Sequence, residues 1–388
     1  MQVSQVLNGH PVNGSPRSAT APPGSFDAVD DLELWLAQLH RKVSVVLTGF
    51  IRDRCAEYVH GVPGADFLTG LLTEFVPGGK YVRSTFTYLG WLSGSGDQNV
   101  SEQLDAPLRA AASTELLHAF ALMQDDVMDQ SALRRGRPSL HVRLANWHRS
   151  QGLDGPAERF GESAAILLAD LCLVWAEQLF RDCGLPAPAL GRGWPRYDTL
   201  RGELAVGQFA DLVNDARGEP TFDEVLDVIR RKSGNYTVRR PLELGAALAG
   251  ADEHTLAVLG DYGALVGEAF QLRDDVLDVY GRPDVTGKPS GGDLREHKAT
   301  SVVVLAADMA SPAQDAELSR LSRRDHLDDA DLDRWRELII DTGATARMEQ
   351  LISERVAAAC DRLAAGGLSP FVRRALTELA VRYTDRAR

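Results

Sequence analysis

The sequence predicts an all-α protein, a bundle of about ten or more helices, and three observations carry that prediction. Apolar residues recur at spacings of three and four through most of the chain, the period that lines one face of an α-helix. No stretch sustains the period-two alternation, with β-branched enrichment, that marks a half-buried strand. The interruptions fall at Gly/Pro clusters, namely Val76-Pro77-Gly78-Gly79, Gly184–Pro195, Gly281–Gly292 and Ala365–Pro370, and none of them separates two folding units.

Taken in order, Met1 to Ser25 is rich in Gly, Pro, Ser, Thr and Asn with few large apolar residues. Such a segment cannot bury enough surface to offset its ordering entropy, so residues 1–28 are expected to form a disordered tail and 29–388 one domain. The first helical pattern is Leu32–Tyr58. Val100–Val127 follows and runs into an acidic cluster. Glu162–Phe180 lies in the richest apolar stretch, broken by Asp170 and Glu177, and Arg196–Val213 begins just after the Pro195 break. Val225–Ile229 is a short piece, His254–Tyr280 runs into a second acidic cluster, and Thr300–Met309 and Trp335–Ala365 complete the series. No close repeat at solenoid periods is present.

Composition narrows the function classes. The chain has 388 residues, 44% hydrophobic and 25% charged, in the range of a soluble globular protein. No uninterrupted apolar run spans a bilayer, so no transmembrane segment is expected, and the N-terminus lacks the basic region and apolar core of a signal peptide. Cys55, Cys172, Cys183 and Cys360 show neither metal nor disulfide spacing, which reads as reduced thiols and a cytoplasmic location. A net charge of −13 argues against nucleic acid as a partner. An anion would have to bind through metal ions or a local basic cluster.

Two copies of Asp-Asp-x-x-Asp dominate the chain: Asp125, Asp126 and Asp129, then Asp274, Asp275 and Asp278. Residues i and i+4 share a helical face about 6 Å apart, so each triplet concentrates like charge. Such repulsion costs roughly 1 kcal/mol in water and several times more in a drier cleft. Either motif alone reads as an acidic helix end facing solvent. Two together, with basic residues after each, point to hard cations, and carboxylate oxygens with room for water and phosphate suit Mg²⁺. Arg134-Arg135-Gly136 follows the first triplet; Lys288, Asp293-Leu294-Arg295 and Lys298 follow the second; Gly78-Gly79-Lys80-Tyr81-Val82-Arg83 lies upstream. Glycine backbone and cations of this kind accommodate phosphate oxygens. A diphosphate would bridge the carboxylates, through Mg²⁺, to the cations.

These residues resemble the trans-isoprenyl diphosphate synthases (polyprenyl synthetases) from about Asp30 to the C-terminus, most of all the short-chain geranylgeranyl and farnesyl diphosphate synthases of actinobacterial type. The resemblance is carried by Gly78 to Arg83, by Glu115-Leu116-Leu117-His118 through Asp125–Asp129 to Arg134-Arg135-Gly136-Arg137-Pro138, and by Gly207-Gln208-Phe209-Ala210-Asp211. It continues in Lys232-Ser233-Gly234-Asn235-Tyr236, Phe270 to Asp278, and Gly287-Lys288 to Lys298. It implies an isoprenoid-synthase bundle around a central cavity, a homodimer, and condensation of isopentenyl diphosphate with dimethylallyl, geranyl or farnesyl diphosphate. The six motif aspartates would hold three Mg²⁺ on the allylic diphosphate, which Arg134, Lys232 and Lys288 also contact. Lys80, Arg83, His118 and Arg135 match the pocket for the diphosphate of isopentenyl diphosphate; a neutral core histidine is the other reading of His118. Gln271 matches a residue facing the developing allylic cation, and Lys298 a basic position near the active-site lid. Gln208, Asp211 and Tyr236 match family positions or hold helices together. Ser84, Ser233 and Gln124 depart from the residues common at their places, and none removes a needed charge.

In that family the residues four and five before the first aspartate form the floor that stops the growing chain. Here they are Ala121 and Phe120, about 6–7.5 Å along the helix from Asp125. One aromatic there resembles the C20, geranylgeranyl-forming enzymes, with C15 farnesyl and C25 products as alternatives. A class I terpene cyclase would need a different second metal site, and its nearest match, Asn214-Asp215, lacks the serine four residues after the asparagine. A non-catalytic partner subunit usually loses carboxylates, and this chain retains all six.

Overall fold

The computed structural model describes residues 32–95, 105–217, 220–281, 291–324 and 326–385. The expected tail, residues 1–28, lies outside them. Helices α1 (Leu32–Tyr58) and α2 (Ala65–Phe75), a 3-10 turn Val76–Gly78, and helices α3 (Val82–Ser95) and α4 (Asp105–Met128) lead into a small antiparallel hairpin, β1 (Leu133–Arg134) and β2 (Arg137–Pro138). Then come α5 (Leu140–Ser150), α6 (Ala157–Arg181), α7 (Ala187–Arg217), α8 (Phe222–Val228), a π-helical segment Ile229–Arg239, α9 (Arg240–Ala249) and α10 (Glu253–Tyr280). The C-terminal part is α11 (Gly292–Arg295), α12 (Ser301–Met309), α13 (Pro312–Ser322), α14 (Asp329–Asp341), α15 (Ala344–Ala365) and α16 (Pro370–Thr384). The all-α bundle of more than ten helices is thus the observed architecture.

α4 is the central helix: it packs on α1, α3 and α6 and is buried over most of its length. Burial all round is why it shows little one-sided patterning. α10 is the second axis, bedded against the π segment on one side and α15 on the other. Two apolar clusters meet along it. Leu259, Tyr262 and Val266 belong to the larger, with Leu47, Phe86, Leu116 and Trp175. Leu272, Val276 and Val279 belong to the smaller, with Leu305, Trp335 and Met348. Each fully buried side chain of this size stabilises the fold by about 1.5–3 kcal/mol before cavity terms, so both acidic helix ends rest on rigid supports.

Three expectations are corrected. Trp335–Ala365 is two helices, α14 and α15, because the chain turns at Thr342-Gly343, where Gly343 has φ 85°. The break expected over Gly184–Pro195 ends earlier. α7 begins at Ala187 and runs through Pro195, held by Arg192, whose Nε and Nη2 donate to the carbonyls of Ala247 and Leu248 at the end of α9. The short Val225–Ile229 pattern is the start of a longer element, opened by a capping box of Thr221 with Glu224. α6 is the one described helix long and apolar enough to cross a membrane by length and composition. Here its inner face, with Trp175, Leu179 and Phe180, is buried in the larger cluster.

Candidate active site

The ends of α4 and α10 face one cavity of about 810 Å³, and both aspartate motifs reach its wall. Asp125 and Asp129 line it from α4 and the residue just past its end, and Asp274, Asp275 and Asp278 line it from α10. Gln271, Arg134, Lys232 and Lys298 complete the set placed together by the sequence pattern. Lys288 lies outside the described residues.

The carboxylates do not stand unopposed. Lys232 Nζ is 2.6 Å from Asp211 Oδ2 and 3.1 Å from Asp125 Oδ1, and Lys298 Nζ is 2.6 Å from Asp129 Oδ2. Burial disfavours both ammonium charges, yet the facing aspartates outweigh it and raise both pKa values. Conversely, burial acts to raise the Asp125 pKa, but Lys232 and Arg134 overcome it and hold the group below its ordinary value. On the α10 side the balance differs. Burial lifts Asp275 to about 6, and burial with Asp278 nearby pushes Asp293 well above the carboxylate range.

The six aspartates divide into two kinds. At 100° per residue, i and i+4 lie only about 40° apart, whereas i+1 is turned well away. Asp126 is accordingly fully buried and absent from the cavity wall; Arg134 clamps it, with Nε 2.7 Å and Nη2 2.5 Å from Oδ1. Asp275 is similarly committed. Its Oδ2 accepts from the backbone N and Oγ of Ser301 at 3.1 and 2.5 Å, anchoring the start of α12, and its Oδ1 accepts from Gln271 Nε2 at 2.9 Å. Asp126 is thus withdrawn behind the wall, whereas Asp275 lines the cavity with its carboxylate committed to Ser301 and Gln271.

Two irregular elements aim the cations. Arg135 and Gly136, with φ 54° and 71°, form the two-residue turn between β1 and β2, in the primed geometry that suits a hairpin. This turn sends Arg134 to Asp126, whereas Arg135 Nη1 donates to the Phe75 carbonyl at 3.2 Å, beside Gly78 and Gly79. The π segment carries Lys232 and wedges between α7 and α10. Glycine permits this: a Cβ on Gly267 would lie 2.4 Å from the Gly234 carbonyl oxygen. Wide π turns recur at functional sites.

A second cationic group forms where α3 starts. Arg83 stacks on the Tyr236 ring, 4.3 Å from its centroid, and its Nη2 donates to Thr237 Oγ1 at 2.9 Å. Buried Glu115 accepts from the backbone N and Oγ of Ser84, both at 2.8 Å. His118 lies close by. Burial, then Arg83, Arg135 and Arg134, depress its pKa well below the usual range, so the ring is neutral, and its Nδ1 is buried with no hydrogen-bond partner among the described residues. Lys80 is exposed at the end of the glycine loop. Phe120 and Ala121 are half-buried and pack against the larger apolar cluster; the α4 side chain that lines the cavity beside Asp125 is Leu122.

Sequence reasoning missed several wall residues. Asp215 and Asp293 line the cavity, and Asp211 and Asp215 repeat the i, i+4 carboxylate spacing on α7, a signal that was available. Among the described residues no three carboxylates converge closely enough to enclose an ion alone. An ion held here would complete its shell with water or ligand oxygens. That fits Mg²⁺, a hard cation that keeps water and phosphate oxygens beside one or two carboxylates.

The chain is similar to known proteins over most of its length. The polyprenyl synthetase family profile matches residues 65–339. A geranylgeranyl diphosphate synthase of Mycobacterium tuberculosis is 32% identical over 293 residues, 75% of this chain and 77% of that one. A (2E,6E)-farnesyl diphosphate synthase of Mycobacterium bovis is 32% identical over 222 residues, covering 57% of this chain and 55% of the relative. The crystal structure of geranylgeranyl pyrophosphate synthase from Corynebacterium glutamicum, complexed with isoprenyl diphosphate and magnesium, superposes with a TM-score of 0.85 at 36% identity, covering 90% of this chain and 99% of that one. With the profile spanning more than half of the chain and the bundle shared over 90% of it, the chain belongs to the polyprenyl synthetase family and is a prenyltransferase, a prenyl diphosphate synthase.

Proposed function

We propose that the protein catalyses the Mg²⁺-dependent head-to-tail (1'-4) condensation of isopentenyl diphosphate with dimethylallyl, geranyl and farnesyl diphosphates, ending at all-trans geranylgeranyl diphosphate, C20. The observation that carries this reading is the meeting of Asp125, Asp129, Asp274 and Asp278 on one cavity with Arg134, Lys232 and Lys298 between them. Those four carboxylates are the residues that would hold magnesium, three ions per site by family resemblance. Magnesium, when bound, supplies charge neutralisation to the leaving diphosphate.

The chain's own residues do the rest. Arg134, Lys232 and Lys298, with Lys288, donate to the allylic diphosphate as its C–O bond breaks and the electron pair passes to oxygen. Gln271, whose Nε2 is committed to Asp275, offers its amide oxygen to the allylic cation. Lys80, Arg83, neutral His118 and Arg135 orient isopentenyl diphosphate so that its double bond attacks that carbon. A proton then leaves, with the departing diphosphate as acceptor, so no nucleophilic side chain is required.

C20 is supported by the names of the Mycobacterium tuberculosis and Corynebacterium glutamicum relatives. C15 is the second reading, favoured by the farnesyl synthase match. Phe120 and Ala121 are proposed as the ruler; Ala121 shares the Asp125 face, about 40° away, while Phe120 is about 140° round the helix. A homodimer is also proposed. Leu167 and Val174 on α6 and Val206 and Phe209 on α7 are each more than half exposed, an apolar surface suited to an isologous helical interface. Four free cysteines fit a reducing cytoplasm.

The test is product analysis after incubation with isopentenyl diphosphate and each allylic diphosphate in turn, with Mg²⁺ or with EDTA. Geranylgeranyl diphosphate formed only with metal is expected. No elongation of any primer in Mg²⁺ would overturn the reaction, and a C15 end point would overturn the length. Light scattering at assay concentrations should give the mass of two chains, and one chain's mass would refute the dimer.

A further inference from the structure

On the outer side of the π segment lies a second cavity, of about 320 Å³, walled by Arg230, Arg231, Arg239, Arg240 and Asn235 together with Glu203, Asp227 and Glu268. Its charges are ordered in a particular way. Arg230, Arg231 and Arg239 each spend Nε on a carboxylate: Glu268 at 2.9 Å, Asp227 at 2.8 Å and Glu243 at 3.0 Å. Both Nη groups of these three guanidiniums make no further hydrogen bond among the described residues. Arg240 is saturated instead, reaching Glu203 through Nε and Nη2 and Glu243 through Nη1.

The carboxylates are likewise committed. Glu268 is shared between Arg230 and Arg355, and Glu203 accepts from Arg240 and Asn235. Counting Arg196 near Glu243, six guanidiniums face four carboxylates here, in a protein of net charge −13. A guanidinium pinned at Nε and open at both Nη is a pre-oriented fork for phosphate oxygens. Among the described residues the apolar wall is Ala264 and Leu265 alone, so the space suits a compact anion rather than a long chain.

We propose that this cavity is an additional, metal-independent binding site for a diphosphate group, gripped by Arg230, Arg231 and Arg239 and distinct from the pocket assigned above to the diphosphate of isopentenyl diphosphate. It is separate from the aspartate-lined cavity: the two share no wall residue, although Lys232 follows Arg231 directly in the chain. An anion bound here engages the segment that carries Lys232 from its opposite side. The choice of diphosphate over another anion rests on the function proposed above. The anion site itself rests on the guanidinium geometry alone. Free inorganic diphosphate and a diphosphate ester share this chemistry.

The test is calorimetric titration of the full chain, in EDTA, with inorganic diphosphate and separately with dimethylallyl S-thiolodiphosphate. Two classes of site are expected in the native protein. Arg231→Gln/Arg239→Gln should lose one class or weaken it by about tenfold or more while retaining the other, with turnover at low diphosphate unchanged. Arg231→Gln alone, at an exposed position paired only with Asp227, guards against misfolding and should weaken the same class. Tighter binding of the thiolodiphosphate at that class identifies an ester as the ligand, and equal or weaker binding identifies free diphosphate. Unaltered stoichiometry and affinity in both variants would overturn the site, whether or not the enzyme elongates prenyl chains.

Discussion

Gly267→Ala tests whether the π segment positions Lys232. The new Cβ would lie 2.4, 2.6 and 2.7 Å from the carbonyl O, carbonyl C and Cα of Gly234, where ordinary contact begins near 3.4 Å. The backbones of α10 and the π segment must therefore part by about 1 Å, since none of the three contact atoms belongs to a flexible side chain. Overpacking of this kind costs on the order of 1–3 kcal/mol, offset by the 0.5–1 kcal/mol that Ala gains over Gly in a helix. The net is a loss of roughly 1–2 kcal/mol, read as a fall of a few degrees in the thermal midpoint. Lys232 lies two residues from Gly234, and its Nζ is set at 2.6 and 3.1 Å from two carboxylates. A misplacement near 1 Å costs about 10²-fold where orientation governs the rate, so turnover should fall roughly 10–100-fold with helical circular dichroism preserved. Gly202→Ala, inside α7, is the control, because nothing lies within 4 Å of its added Cβ; it should leave turnover unchanged and raise the midpoint slightly, by the helix gain alone. A Gly267→Ala enzyme with native turnover and midpoint would refute the reasoning.

Asp125→Ala and Asp274→Ala should each lower product formation by orders of magnitude with the helical spectrum intact, and near-native rates in Mg²⁺ would contradict the shared-metal reading. Asp126→Ala should behave differently: it strips the buried partner of Arg134, so denaturant melts should show a loss on the order of 3 kcal/mol. For product length, Ala121→Phe should shorten products toward C15 and Phe120→Ala should lengthen them, both read by chromatography of the dephosphorylated prenols. Unchanged distributions in both variants would place the floor on another helix.

The legible part of this protein was what depends on short spacings. Leu32–Tyr58 was readable to its end residues because one face of α1, from Leu32 through Leu39, Val43 and Leu47 to Ile51, is buried at helical period. The two aspartate motifs were readable because i, i+4 charge crowding has no cheap explanation twice over. The pairing of Lys298 with Asp129 was not, since 169 residues separate them and only the fold joins α4 to the end of the α11 turn. The hairpin at Leu133–Pro138 escaped because its turn is Arg135-Gly136, not the Asn-Gly or Asp-Gly that signals one. The π segment escaped because Ile229–Arg239 has the composition of any polar helix; its width is imposed by Gly207 and Gly267 in neighbouring helices. The roles of Asp126 and Asp275 were blurred for a related reason. A motif states which residues are acidic, whereas burial and local partners decide which carboxylates line the cavity.

Backbone strain gives an independent view of where this fold is specialised. Four non-glycine residues among those described have left-handed φ values: Tyr81 (53°), Gln130 (51°), Arg135 (54°) and His297 (54°). Each costs on the order of 1–3 kcal/mol relative to a relaxed backbone, against a total stability of about 5–15 kcal/mol. They are not scattered. Tyr81 follows Lys80 and precedes Arg83 by two residues, Gln130 follows Asp129, Arg135 is itself in the cationic group, and His297 precedes Lys298. Two are visibly held in place: the Tyr81 hydroxyl donates to the Pro77 carbonyl and its ring packs near His40, and His297 lies against Trp335, 6.1 Å between ring centroids. Strain that, among the described non-glycine residues, falls beside or within the two charged groups, the aspartate-lined cavity and the cationic group at the start of α3, has a physical reading. The helical core over-determines these loops, so the cations and carboxylates are fixed before a ligand arrives, and in the reaction proposed above little reorganisation is left to accompany the breaking of the allylic bond.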